Sequence, residues 1–169
     1  MAKYVEGVEV TEEEIRGALR RATIAGRLVP VLCGSAFKNK GIQKLLDAVC
    51  DYLPSPAEMP PVEGTDPETG KPVGRRGSAE EPFAALLFKV AADAHGTLCY
   101  LRVYSGSLTG GSQVINPRRR NKKERVHMLW KMHAADREKL EEVRAGDICA
   151  VTGLKFSVTG DTLCDAEHP

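Results

Sequence analysis

Eight consecutive residues, Arg118-Arg119-Arg120-Asn121-Lys122-Lys123-Glu124-Arg125, hold six basic side chains and a single acid. Such a cluster suits a phosphate backbone, because Lys and Arg displace condensed counterions and the resulting affinity falls with salt. A solvated hairpin loop explains the run alone equally well. The surrounding residues 82–169, however, carry 13 Lys and Arg against 10 Asp and Glu. The loop is therefore a local positive knob on a nearly neutral body. No sequence-reading helix lies beside it, so recognition of backbone or shape is the expected form.

Other fragments imitate catalytic or nucleotide motifs without completing them. Gly64 to Lys71 resembles a phosphate-binding loop but has one residue too many between its glycines. Pro72 also stands where Ser or Thr would ligate magnesium, and no strand precedes the loop. Asn39-Lys40-Gly41-Ile42 begins like a guanine-reading motif, yet Ile42 replaces the carboxylate that must accept the base N–H groups. Asp93-Ala94-His95-Gly96 lies between two strand patterns and reads as a hairpin turn. His127 and His133 have no partner at metal-ligand spacing and read as structural or surface residues. Cys33 and Cys149 fall in apolar runs and are expected as small core residues. Trp130, with Met128 and Met132 nearby, reads as core or barrel surface. No catalytic set emerges, and no metal site.

The elements that would position the basic loop follow from periodicity. Residues 83–91, 97–105, 112–116, 124–133 and 147–154 are strand patterns at regular spacing, separated by turn signals. They imply a small closed β-barrel over 81–169, with few unpaired edges. Residues 54–82 hold seven of the ten prolines and four of the sixteen glycines, so 58–80 reads as a linker. Residues 1–57 read helix, strand, loop, helix. Thr11 and Glu14 form a capping box, Ile15, Leu19 and Ala22 mark a buried stripe, and Gly26 stops the first helix. LVPVLC (28–33) has the form of a strand covered on both faces, and Ile42, Leu45, Leu46 and Val49 recur at helical spacing. One buried strand between two helices is expected to be the remnant of a larger α/β domain.

Composition narrows the classes. The chain has 169 residues, 42% hydrophobic and 28% charged, with a net charge of +1, a globular mixture without whole-chain attraction to nucleic acid or membrane. No apolar run approaches the roughly 20 residues of a bilayer span, and the start lacks a secretory pattern. Five cysteines without close pairs point to reduced thiols and a cytoplasmic setting rather than a disulfide framework.

Beyond these patterns, Cys33-Gly34-Ser35-Ala36-Phe37-Lys38-Asn39-Lys40-Gly41-Ile42 through Val49, then Tyr52-Leu53-Pro54-Ser55-Pro56, resemble the end of the GTPase domain of the elongation factor G family. The barrel carries similar signatures. They are Phe88-Lys89-Val90, Arg102-Val103-Tyr104-Ser105-Gly106-Ser107-Leu108, Lys122 to Val126, Met132-His133-Ala134, Glu141 to Ile148, and Gly160 to Asp165. The resemblance implies a mostly β fold: a translation-factor domain II barrel preceded by a helix-strand-helix remnant of an α/β GTPase domain. Residues 1–57 would close the GTPase domain and 81–169 would form domain II.

It further implies that Ser35, Ala36 and Phe37 contact the guanine base of GTP or GDP, bound with Mg2+, in the intact factor. The phosphate loop, switches and magnesium motif would precede Met1. This piece is thus expected to be catalytically inert and to need no cofactor, within a GTPase that moves tRNA and mRNA through the ribosome. Its expected partners are small-subunit ribosomal RNA and the rest of the factor, with neither DNA nor membrane. Arg102 and Ser105 join Arg118, Arg119, Arg120, Lys122, Lys123 and Arg125 as candidate RNA contacts, the first two by the resemblance. The turn at Asp93–Gly96 departs from the family, in which it is commonly longer and contains Pro, and leaves a paralogue open. A ribosomal protection protein, a release-factor GTPase and a free-standing RNA-binding barrel are the alternatives.

Overall fold

The structure, a computed structural model, describes residues 2–93, 96–134 and 136–169. Its contacts group the chain into two units, Met1–Pro54 and Ser55–Pro169.

In the first unit, a short α1 (Ala2–Val5) precedes α2 (Glu12–Ile24) and α3 (Ile42–Tyr52). The expected capping box forms: the Glu14 amide donates to Thr11 Oγ1 at 3.3 Å, and the Thr11 amide to Glu14 Oε2 at 3.1 Å. Gly26, at φ +67°, lets the chain reverse so that the Gly26 and Arg27 amides cap Thr23 and Ala22. Arg16 pairs with Asp51 at 2.6 Å, and Arg20 donates to the carbonyls of Asp51 and Leu53 at 2.9 and 3.2 Å. These two arginines fasten α2 to the end of α3.

The expected strand 28–33 does not form. Val29 and Val31 are 81% and 92% exposed, and Cys33, expected in the core, is exposed as well. An isolated extended segment has no neighbour to take its N–H and C=O groups, and an apolar run alone does not supply one. The helical stripes share this fate: Ile15, Leu45, Leu46 and Val49 are exposed, and Ala48 is the one buried hydrophobic among the described residues of this unit.

The second unit begins with a hairpin where a linker was expected, β1 (Val62–Thr65) pairing with β2 (Pro72–Arg75). Asp66 Oδ1 accepts the amides of Glu68 and Thr69 at 2.8 and 2.9 Å, so the phosphate-loop imitation is an Asx turn. There follow β3 (Ala84–Asp93), β4 (Gly96–Ser105), β5 (Ser107–Thr109), β6 (Gln113–Asn116), β7 (Lys122–Arg125) and β8 (Leu129–His133). Then come β9 (Asp136–Leu140), β10 (Glu142–Arg144), β11 (Ile148–Val151) and β12 (Thr162–Cys164). Eight strands form an antiparallel sheet in the order β7-β6-β12-β3-β4-β11-β8-β9, and β5 pairs with β10. Ala94 and His95, where the sequence places a hairpin turn, lie outside the described residues.

Alternation decides the interior. In β4, Cys99, Leu101, Val103 and Ser105 point inward while Tyr100, Arg102 and Tyr104 are half-buried on the other face. Leu87, Leu101, Val103, Leu129, Val143, Val151 and Leu163 meet in one core fed by both the large sheet and the β5–β10 pair. The strand expected over 124–133 divides in two, because at Val126–Met128 the chain leaves β6 and joins β11. There the His127 amide donates to the Thr152 carbonyl at 2.8 Å. Gly153, at φ +103°, permits the crossing: a Cβ would lie 2.5 Å from the Arg125 carbonyl oxygen.

Candidate nucleic-acid interface

The basic run occupies the β6–β7 connection, and its conformation is set by polar groups beneath it. Asn116 is fully buried at the end of β6. Its Oδ1 accepts the Arg119 amide at 3.2 Å, and its Nδ2 donates to Asp161 Oδ2 at 2.8 Å and Ser157 Oγ at 2.9 Å. A single 3-10 turn, Pro117–Arg119, follows, and then Arg120 and Asn121 adopt left-handed backbone at φ 57° and 56°. Two such residues without glycine cost about 1 kcal/mol each, so the surrounding bonds must fix the turn.

Two buried carboxylates do so. Asp161, fully buried, accepts from Asn116 and from the Val158 amide at 3.0 Å, and it faces Arg118 at 3.4 Å and Arg119 at 3.9 Å. Burial pushes its carboxyl up, but the Val158 amide, Asn116 and the two guanidinium groups outweigh that and hold it below the usual range. Glu124 is the inward residue of β7, where Lys123 and Arg125 point out. It accepts the amides of Lys155 and Phe156 at 2.6 and 2.9 Å and the Ser157 hydroxyl, tying the 155–157 loop beneath β7.

The six basic residues therefore sort by partner. Arg118 and Arg119 lean on Asp161, Arg125 donates to the Gly111 carbonyl at 3.1 Å, and Lys122 Nζ sits 3.5 Å from the centre of the Phe156 ring. Arg120 and Lys123 are exposed, with no ion-pair partner among the described residues. The result is a positive surface held in one shape, able to meet several phosphates without first ordering itself.

Residues 96–164, which include the whole of this loop, match the family described as Elongation factor Tu domain 2. The barrel has the fold of an elongation factor Tu domain 2. A solved crystal structure from Thermus thermophilus aligns with a TM-score of 0.70 and 30% identity over 99% of this chain, which spans 22% of that protein.

Within the barrel the remaining candidates separate. Arg102 lies on the outer face of β4, its guanidinium 5.5 Å from the centre of the Tyr104 ring. Strands β12 and β3 stand between β4 and β6 in the sheet order, so Arg102 is not part of the basic loop cluster. Ser105 is fully buried and donates its hydroxyl to the Pro82 carbonyl at 2.8 Å, holding the turn before Gly106 instead of facing a partner. In the sequence its place beside Gly106 in a turn motif gave no sign of this.

In the first unit, Ser35 and Lys40 pair backbone to backbone at 2.8 and 3.0 Å around the Ala36–Lys38 turn, and Phe37 is fully exposed. A Cβ at Gly34 would lie 2.8 Å from the Lys40 carbonyl, so the closure requires glycine. Among the described residues, no three His, Cys, Asp or Glu side chains could hold a metal ion, and no helix is long and apolar enough to cross a membrane.

His127 and His133 are exposed, as a surface role requires, while Trp130 is half-buried on β8 with Nε1 lacking a partner. Sequence reasoning missed the carboxylates as builders of the site. Glu124 registered only as the odd acid in a basic run, and its position between two outward cations in a strand was the available signal.

Proposed function

We propose that this chain belongs to an elongation factor G-type GTPase and that its domain II docks the factor on the small ribosomal subunit. Ribosomal RNA phosphates would meet Arg118, Arg119, Arg120, Lys122, Lys123 and Arg125. The observation that carries the reading is a translational-GTPase barrel whose one dense basic loop is fixed from below by Glu124 and Asp161. A shaped cluster of cations addresses backbone phosphates and surface contour, with no demand on base sequence. The setting is then the cytoplasm, where ribosomes work.

In the same reading, Ser35, Ala36 and Phe37 form the base-facing edge of a guanine-nucleotide pocket. The groups that would neutralise the phosphates and carry Mg2+ belong to other parts of the factor, and this chain alone neither hydrolyses GTP nor binds it tightly. Co-sedimentation of the chain with small ribosomal subunits is the test. Saturable binding that weakens with salt is expected, displaced by an intact elongation factor G. Absence of binding at low salt would overturn the docking role, and micromolar GTP binding by titration calorimetry would overturn the inert half.

A further inference from the structure

Phe156 stands among cations on a fixed loop. It is 47% exposed, on the connection between β11 and β12, although the adjoining Ser157 is buried. The loop is tied to β7 through Glu124, which accepts the Lys155 and Phe156 amides, and through Asp161, which accepts the Val158 amide. The ring is therefore presented by a fixed backbone. Lys122 Nζ lies 3.5 Å from its centre, and Lys155 is the neighbouring residue in the chain. Glu124, the acid of the basic run, points inward and is fully engaged, so the surface beside the ring is cationic.

We propose that Phe156 is a stacking platform for an unpaired RNA base, with Lys122 and the adjoining Lys155 meeting the flanking phosphates. This rests on the docking reading and adds to it the kind of RNA bound: a single-stranded or bulged segment rather than a continuous duplex. The chemistry favours this occupant. The Lys122 ammonium covers one face of the half-exposed ring, which leaves the other face to a base and puts charge beside the backbone. A protein partner would meet only Phe156 and the nearby exposed Val158 beside like charges, a small apolar area for such an interface.

Fluorescence anisotropy of the whole chain, with a single-stranded oligoadenylate and with a blunt RNA duplex, tests the assignment. Phe156→Leu is expected to weaken single-strand binding about tenfold, with the salt slope unchanged and duplex binding unaffected. Phe156→Trp is expected to restore it, which a merely structural role for an exposed residue would not require. Arg120→Glu/Lys123→Glu should weaken both ligands and flatten the salt slope. Equal single-strand affinity for Phe156→Leu, or failure of Phe156→Trp to restore it, overturns the platform and leaves the ring to a protein contact. An unchanged salt slope in the charge-reversed variant would instead sink the docking reading.

Discussion

LVPVLC at 28–33 and TLCYLRVYS at 97–105 are both apolar runs of strand type, yet they end in opposite states. The second becomes β4, flanked by β3 and β11, with Leu101 and Val103 completely buried. The first has no strand beside it, and Val31 is 92% exposed. Burial belongs to the pair of strands and not to the run: a strand needs neighbours for its backbone before its side chains can find a core. The same contrast separates the two units, one with a dense apolar interior and one whose helices are joined chiefly by Arg16 and Arg20.

Thiol chemistry should break this comparison most visibly. Cys33 and Cys50 are exposed, whereas Cys99, Cys149 and Cys164 are in the barrel core. Desolvation pushes the Cys149 thiol up to about 12 and the Cys164 thiol up to about 11. At pH 8 the buried thiolates are scarcer than an ordinary thiolate by roughly a hundredfold or more, before access is considered. Mass spectrometry after brief alkylation should find modification at Cys33 and Cys50 alone, with the other three reacting only in denaturant. Early reaction at Cys149 would mean that the barrel opens.

Next in size is a pair of truncations. Leu101→Ala should destabilise the barrel by about 3 kcal/mol in urea denaturation, through lost transfer energy and a cavity. Val31→Ala should change stability by less than about 0.5 kcal/mol. Similar costs for the two would mean that 28–33 is buried after all.

Asp161→Ala should cost about 2 kcal/mol, since the Val158 amide and Asn116 lose their acceptor. The pH dependence has a definite sign. A carboxyl held below its unfolded value, near 3.9, contributes stability above that pH and loses it as pH falls through the folded value. The gap between wild type and variant should thus be full at neutral pH and shrink in acid below about pH 4. A gap constant down to pH 2 would show that the charge is irrelevant.

The sequence conveyed these regions unequally, for physical reasons. The long strands β3 and β4 were legible because one face is buried and alternation records it. The edge strand β9, Asp-Arg-Glu-Lys-Leu, was not: it carries charges that guard an open edge, and its pattern resembles a loop. The β1–β2 hairpin hid among prolines and glycines because its strands are short and largely exposed. The basic loop was visible as composition, but its rigidity depends on Asn116, Glu124 and Asp161, which are separated by up to 45 positions along the chain. Such a network leaves no local period to detect. Ser105 was misplaced because a turn motif says nothing of which side of the turn is covered.

We propose that RNA docks on the fixed loop between β6 and β7 of the barrel, and not on the outer face of β4. Measuring small-subunit affinity against salt for Arg120→Glu/Lys123→Glu and for Arg102→Glu addresses it directly. The loop variant should lose affinity and reduce the salt slope by about two, one for each cation removed. The Arg102 variant should retain both within error. The reverse pattern, a flat response in the loop variant and a steep loss at Arg102, would contradict the account.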